Sequence, residues 1–242
     1  LNNIHTMVAR DKIYEGKAKI LYKADNDNEI IQYFKDDTTA FNNQKMEVLD
    51  SKGVLNNAIS AHIYTELSKH NIANSFIQKL NEREQLHKKV DIIPLEVIVR
   101  NYSAGSFAKM FKMDEGGKIP TLVELCLKDD NLGDPLISPN HAYCFNIATP
   151  EQIKFIEGQA LKINNILTDI FKNIGIKLVD FKIEFGLDNQ GNVILADEIS
   201  PDSCRLWDVD TDEKLDKDRF RRNLGNVVES YKQIANRLGI TI

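Results

Sequence analysis

Residues 178–186 read LVDFKIEFG, where Val179, Phe181, Ile183 and Phe185 alternate with Asp180, Lys182 and Glu184. A period of two predicts a β-strand with one apolar face and one face carrying acid, base, acid. VILADEISPDSCRLWD (193–208) gives a second apolar strand ending in acids, then a loop bearing Arg205. The turn formers of DNQGN join the two strands as a hairpin. Upstream, KIYEGKAKILY (12–22) and EIIQYF (29–34) read as strands flanking KADNDN. Leu55, Ile59, Ile63 and Leu67 recur at i, i+4 and predict a helix near 55–70. IIPLEVIVRNY (92–102) is β-rich, with Pro94 suited to a strand start or edge, and SAGSFAKMFKM turns into a short helix.

Thr149-Pro150-Glu151-Gln152 is the clearest helix start: an N-cap Thr, Pro at the first position and Gln at the capping-box site. That helix turns Ile153, Ile156, Ala160, Ile163, Ile170 and Ile174 inward and stops at Gly175. A last helix over 216–238 carries Phe220, Leu224, Val227, Val228, Tyr231, Ala235 and Leu238 on one stripe, closed by Gly239. Strands crowd the first third and mix with helices afterwards, which predicts an α+β chain in two lobes. The boundary falls near 80–95, giving a strand-rich lobe over 1–90 and an α+β lobe over 91–242.

Composition narrows the class. With 242 residues, 42% hydrophobic and 28% charged, the chain has the make-up of a globular protein with a real core. A net charge of −5 argues against gripping nucleic acid, but leaves room for a local basic pocket that takes a phosphorylated small molecule. No apolar run approaches the ~20 residues of a membrane span, and LNNIHTMVARDK lacks the apolar core of a secretory leader. Neither nucleic acid nor membrane is expected as a partner. Cys126, Cys144 and Cys204 match no zinc spacing and no disulfide framework, so reduced thiols in a cytoplasmic protein are expected. His5, His62, His70, His87 and His141 have no spaced partners and receive no metal or triad role.

A dry, unpaired carboxylate is costly, so the charged face of the hairpin must be solvated, paired or occupied by a cation. Glu184 with Asp197 or Glu198 across the hairpin offers the oxygen ligands that Mg²⁺ takes alongside waters and phosphates. Cross-strand ion pairs on a solvated sheet explain the same pattern. In YEGKAKILY, Gly16 lets backbone N–H groups approach an anion and Lys17 and Lys19 add charge, although no Walker or GxGxxG pattern is present. Arg100, Ser103, Gly105 and Ser106 of VIVRNYSAGS suit a phosphate or carboxylate at a helix start. Lys217 and Arg221 share a helix face at i, i+4. Taken singly, each of these is equally an ordinary surface feature.

Together they are far more specific. YEGKAKILY, DDTTAFN, PLEVIVRNYSAGS, LVDFKIEFG, LADEISPDSCRLWD and LDKDRFR, in this order and at these separations, closely resemble the SAICAR synthetase family over about residues 11–240. The resemblance implies a two-lobed α+β fold of the SAICAR synthetase type (ATP-grasp/kinase-like) with a nucleotide cleft between the lobes. It implies an ATP-dependent ligase of de novo purine biosynthesis. That ligase joins L-aspartate to carboxyaminoimidazole ribonucleotide (CAIR) and releases SAICAR, ADP and phosphate. By the same resemblance Lys17, Lys19 and Lys128 contact ATP, and Glu184 and Asp197 hold Mg²⁺ against it. Arg100, Ser106, Asp180, Lys182, Asp202 and Arg205 surround the ribonucleotide and aspartate, with Asp180, Lys182 and Arg205 nearest the chemistry. Lys217 and Arg221 form the basic helix start that closes the site. A homodimer carrying this single activity is expected. DDTTAFN holds the expected acid and hydroxyls, while its NNQK continuation leaves the aspartate contacts there open.

The chemistry agrees. A carboxylate is a poor electrophile, and moving the ATP γ-phosphoryl onto it gives an acyl phosphate that an amine can attack. Such transfer demands positioning and charge neutralisation, which Mg²⁺, Lys and Arg supply; no Ser-His-Asp or Cys-His nucleophile is needed. A kinase-type phosphotransferase would carry an HRD base loop and DFG, where this chain has DFK and no HRD. It would also make ADP without aspartate. A non-catalytic nucleotide-binding module would not need two oxygen-ligand acids beside so many cations.

Overall fold

The computed structural model describes residues 10–242; the LNNIHTMVA stretch, with His5, lies outside the described residues. Strands β1 (Lys12–Glu15), β2 (Lys19–Lys23) and β3 (Glu29–Phe34) form a meander. A separate hairpin, β4 (Asp37–Ala40) and β5 (Lys45–Val48), leads into helix α1 (Lys52–Lys69). Strands β6 (Phe76–Lys79) and β7 (Glu84–Lys88) complete a five-stranded sheet in the order β1-β2-β3-β7-β6. The chain then crosses to a second sheet through β8 (Asp91–Ile92) and β9 (Leu95–Tyr102), with Pro94 in the gap between them.

Helix α2 (Gly105–Phe111), β10 (Lys118–Leu127), β11 (Leu136–Ile137) and α3 (Pro139–Cys144) follow. Next come α4 (Pro150–Lys172), β12 (Ile176–Leu187), β13 (Val193–Ala196) and β14 (Cys204–Asp208). The chain closes with α5 (Asp218–Arg221) and α6 (Val227–Arg237). The second sheet runs β11-β10-β9-β12-β13, with β14 and β8 also paired to β12. Thus β12 is its central strand, and every pairing it makes is antiparallel. Among the described residues no helix is long and apolar enough to cross a membrane.

The capping box at Thr149 forms as its sequence dictates: Gln152 N donates to Thr149 Oγ1 and Thr149 N to Gln152 Oε1. Helix α4 buries Ile153, Ile156, Ala160 and Ile163, together with Leu167 and Phe171, while Ile170 and Ile174 are half-buried. It packs on β12. Helix α1 fixes the segment after β13. Tyr64 Oη donates to Ala196 O at 2.7 Å, and Ile199 N donates to Ser60 Oγ at 3.3 Å.

Four expectations need correction. The last helix is not continuous: α5 ends at Arg221, and Asn223, Gly225 and Asn226 all take positive φ before α6 begins. Asn and Gly tolerate that region best, and Arg219 donates to the carbonyls of Leu224 and Gly225 across the break. Leu224 is therefore exposed rather than on the buried stripe. Secondly, Val179 does not share a core with Phe181, Ile183 and Phe185. A bulge between Leu178 and Asp180 switches the parity of β12, so Ile176 and Leu178 face the main core and Val179 meets Ala104 and Trp207. Thirdly, Arg205 and Cys204 lie on β14, not on a loop. Fourthly, Glu184 pairs with Ala196 across the hairpin, so neither Asp197 nor Glu198 is its direct cross-strand partner.

Candidate active site

A cleft of about 640 Å³ opens where the β1–β2 turn faces β12 and the end of β13. Leu21, Ile30, Val90 and Ile92 line its apolar part; Lys17, Lys19, Glu96, Lys128, Lys182, Glu184, Asp197, Glu198 and Lys217 line its charged part. Gly16 N donates to Lys19 O at 2.8 Å, so this N–H closes the turn rather than pointing free at an anion. The turn presents its lysines: Lys17 pairs with Asp130 at 2.7 Å, and Lys19 reaches across to Asp197 and Glu198.

Sheet register assembles the floor. Residues 180, 182 and 184 project on one face of β12 after the bulge, and β9 lies beside it with Lys182 opposite Ile98. Glu96, two residues along β9, therefore reaches Lys182 diagonally at 3.1 Å. Lys182 Nζ also stands 2.9 Å from Glu184 and 3.9 Å from Asp197, and Lys128 binds Glu184 at 2.6 Å. Burial disfavours ionised Glu184, but Lys182 and Lys128 outweigh it and hold its pKa at about 2. Burial likewise opposes the Lys182 ammonium, and Glu184 and Glu96 more than offset it, raising its pKa above the ordinary lysine value. Both groups are charged at neutral pH. Asp197 leaves the ladder with φ at 65°, a left-handed conformation that Asp and Asn tolerate better than other non-glycine residues.

Three carboxylates, Glu96, Glu184 and Asp197, thus converge on the Lys182 ammonium. Among the described residues no cluster of three or more His, Cys, Asp or Glu side chains is placed to hold a metal by itself. Mg²⁺ is commonly held by one or two carboxylates plus substrate phosphates. The donor set therefore fits Mg²⁺ that arrives with a phosphorylated ligand.

Arg100, Ser106, Asp180, Arg205 and Arg221 form a neighbouring cluster that does not line this cavity. Asp180 sits opposite Arg100 on β9 and opposite Arg205 on β14, so register alone sets it between two guanidinium groups. Arg100 donates to Asp180 at 3.0 Å, to Glu124 at 2.6 Å and to Ser106 Oγ at 3.3 Å. Arg205 donates to both Asp180 oxygens and to Asp218 at 2.9 Å, and Arg221 takes the other Asp218 oxygen at 2.6 Å. Gly105 abuts the Arg205 guanidinium at φ 55°, where a Cβ would have no room. The hydroxyl of Ser103 is buried and bonded to Asp114 O, so it is not offered to a ligand.

Asp202 lines the cleft, but its oxygens are taken by buried Lys52 at 2.7 Å and Tyr231 Oη at 2.6 Å. Burial works against its charge, yet Lys52 and Lys217 pull its pKa below the usual 3.8. A depressed carboxylate contributes stability above its unfolded pKa and loses it as pH falls through the folded value. The urea midpoint of the ligand-free chain should therefore drop steadily as pH falls below about 3.9. Asp202→Asn should flatten that drop, and an unchanged acid limb would show that the pair contributes nothing to it.

Cys204 is buried on β14, and burial pushes its thiol well above the ordinary value, the reverse of what its arginine neighbour suggests. Cys204→Ser should keep most turnover, at a stability cost of about 1–3 kcal/mol for the hydroxyl. A loss of about 10³-fold with an unchanged circular dichroism spectrum would require thiol chemistry. His87 is buried between Ser75 Oγ and Gln85 Oε1; burial and nearby Lys19 lower its pKa to about 3, so it is neutral. Asp36 of DDTTAFN is spent on Arg83 and on Gly53 N. Sequence reasoning passed over Glu96, Glu124, Asp218 and Lys52. Glu96 was within reach: Leu95, Val97 and Val99 are buried, and the alternation puts Glu96 on the face of Arg100.

Residues 12–238 match the model of the SAICAR synthetase family. A phosphoribosylaminoimidazole-succinocarboxamide synthase of Sphingopyxis alaskensis is 52% identical over 238 residues, 97% of this chain and 92% of that protein. The crystal structure of the Ehrlichia chaffeensis phosphoribosylaminoimidazole-succinocarboxamide synthase superposes with a TM-score of 0.94 at 49% identity, covering 96% of this chain and 100% of that one. A SAICAR synthetase solved in complex with ADP gives 0.90 at 45% identity, covering 93% and 96%.

Proposed function

Since the chain belongs to the SAICAR synthetase family, we propose that its cleft seats ATP and Mg²⁺ over Lys182, Glu184 and Asp197, with CAIR and aspartate beside them. The reaction is the ATP-dependent joining of L-aspartate to CAIR, giving SAICAR in purine biosynthesis. One observation carries the site assignment: a lysine ammonium stands where the floor carboxylates Glu96, Glu184 and Asp197 converge, under a turn bearing two more lysines.

In this reading Leu21, Ile30, Val90 and Ile92 take the faces of the base, and Lys17, Lys19 and Lys128 move onto the phosphates. Glu184 and Asp197 would hold Mg²⁺, which would supply charge neutralisation at the phosphates. Lys182, released from the acids, turns to the CAIR carboxylate as it accepts the phosphoryl. The carboxylate becomes an acyl phosphate, the aspartate amine attacks it, and phosphate leaves. Arg100, Ser106 and Arg205 supply forks and a hydroxyl for the anionic groups of CAIR and aspartate. Asp180, gripped by both arginines, orients them rather than carrying a proton. Asp202 braces the wall, and Lys217 and Arg221 close it. Residues 10–90 act as the covering lobe and 91–242 as the lobe of the metal and substrate site; the family resemblance alone supports a cytoplasmic homodimer.

Steady-state incubation with ATP, Mg²⁺ and CAIR, with and without aspartate, tests this. ADP and SAICAR should appear in equal amounts, and only when aspartate is present. Sustained ADP release without aspartate would favour a phosphotransferase.

A further inference from the structure

Among the described residues, all but two of the lysines lining the cleft are partnered. Lys17 pairs with Asp130, Lys19 with Asp197 and Glu198, Lys128 with Glu184, and Lys182 with Glu184 and Glu96. Lys217 lines the same cleft, yet its ammonium makes neither a hydrogen bond nor an ion pair to any described residue. Lys88 lines the cleft unpaired as well, but it is exposed to solvent. The backbone of Lys217 is fixed: its N donates to Pro201 O at 3.0 Å, and its carbonyl accepts from Phe220 N and Arg221 N.

Its surroundings explain the missing partner. Asp202, on the β13–β14 connection, is the acid that acts most strongly on Lys217, but Lys52 from α1 and Tyr231 from α6 occupy its oxygens. Glu198, after β13, is engaged by Lys19 and by Ser200. Arg221 faces Lys217 from its own segment and Lys52 from α1, both cationic. Desolvation lowers the Lys217 pKa most; Asp202 and Glu198 oppose it, Arg221 and Lys52 add to it, and the net value is about 8. A sizeable neutral fraction therefore exists near physiological pH, unlike at an ordinary lysine.

We propose that Lys217 is the base that accepts a proton from the aspartate amine before it attacks. The proposal rests on the acyl-phosphate reading above. Aspartate arrives as an ammonium with no lone pair to donate. Neutral Lys217 Nζ takes one proton, and the freed pair forms the C–N bond at the acyl carbon. The carbonyl pair moves to oxygen and returns as the C–O bond to phosphate breaks. Phosphate leaves with the pair of the broken C–O bond and takes the second nitrogen-bound proton, and Lys217 returns its proton to water. An anion-binding lysine would need only its charge, so charge and basicity must be separated.

Lys217→Arg does this, since arginine keeps the charge and cannot act as a base below about pH 12. With aspartate, its kcat near pH 7.5 should fall about 100-fold, the lower end of general-base effects, with the KM for ATP unchanged. The wild-type kcat/KM for aspartate should rise with pH through an inflection near 8, and this inflection should vanish in the variant. Hydroxylamine, already neutral at pH 7.5, should convert the acyl phosphate to a hydroxamate with a far smaller loss in the variant than aspartate turnover suffers. Lys217→Met, with thermal midpoints recorded for both variants, should show the same split between nucleophiles. Near-normal aspartate turnover in Lys217→Arg, or equal loss with both nucleophiles, overturns the base. A wild-type profile without an inflection between about 7 and 9 overturns it with no variant needed. If wild type makes SAICAR but no hydroxamate, the acyl-phosphate reading fails instead; the pH profile then decides the lysine alone.

Discussion

An Asp197→Asn enzyme should turn over about 10²–10³-fold more slowly than wild type at limiting Mg²⁺, with part of the loss recovered at high Mg²⁺. The substitution keeps shape and removes one anionic oxygen donor from the point where Glu184 and Asp197 converge. It should leave the fold intact for two reasons. Asn adopts the left-handed backbone of position 197 as readily as Asp. Lys19, which loses the Asp197 charge, still has Glu198 at 3.1 Å. The ligand-free melting temperature should therefore move little. Normal turnover at limiting Mg²⁺ would remove Asp197 from the metal site, and a large fall in melting temperature would make its role structural.

Arg205→Ala should damage both stability and substrate use. Arg205 is largely buried and donates to Asp180 and Asp218, so its removal strips charge compensation from two buried carboxylates. Breaking a buried pair costs about 3–5 kcal/mol. Arg100 still serves Asp180 and Arg221 still serves Asp218, which favours the lower end. At roughly 2–4 °C per kcal/mol for a chain of this size, the melting temperature should fall by about 6–12 °C. The KM for CAIR or aspartate should rise roughly 30-fold or more, as for loss of a desolvated charge-assisted contact, with the KM for ATP little changed. Arg205→Lys should recover much of the stability but little of the binding, because lysine lacks the fork that reaches Asp180 and Asp218 together. Equal changes for all three substrates would place Arg205 outside the substrate site.

Local chemistry in the chain made the hairpin, the α4 cap and the α1 stripe readable. Alternation in LVDFKIEFG and the Thr149–Gln152 box are each decided by residues two to four apart. What escaped depends on register and on non-local partners. A single-residue bulge reverses the facing of Ile176, Leu178 and Val179, and nothing in three apolar residues announces it. The break before α6 was hinted at by the Asn223 to Asn226 run, which a continuous apolar stripe concealed. Asp197 or Glu198 could not be chosen as the partner of Glu184, because the contest is settled by how the chain leaves the ladder rather than by cross-strand pairing. Lys52 looked like an ordinary helix start; only the arrival of Asp202 from 150 residues away makes it a buried ion pair. The candidates named from the sequence fall into a cleft floor around Lys182 and an arginine cluster around Asp180, and that division belongs to the sheet.

A structure of the chain with a non-hydrolysable ATP analogue and Mn²⁺, located by its anomalous signal, decides whether Glu184 and Asp197 hold the metal. The metal should bind oxygens of both Glu184 and Asp197 and bridge them to the phosphates. Lys182 should have left the point it holds between those acids. A metal bound away from both carboxylates, or Lys182 still seated between them beside an ordered nucleotide, would contradict the account.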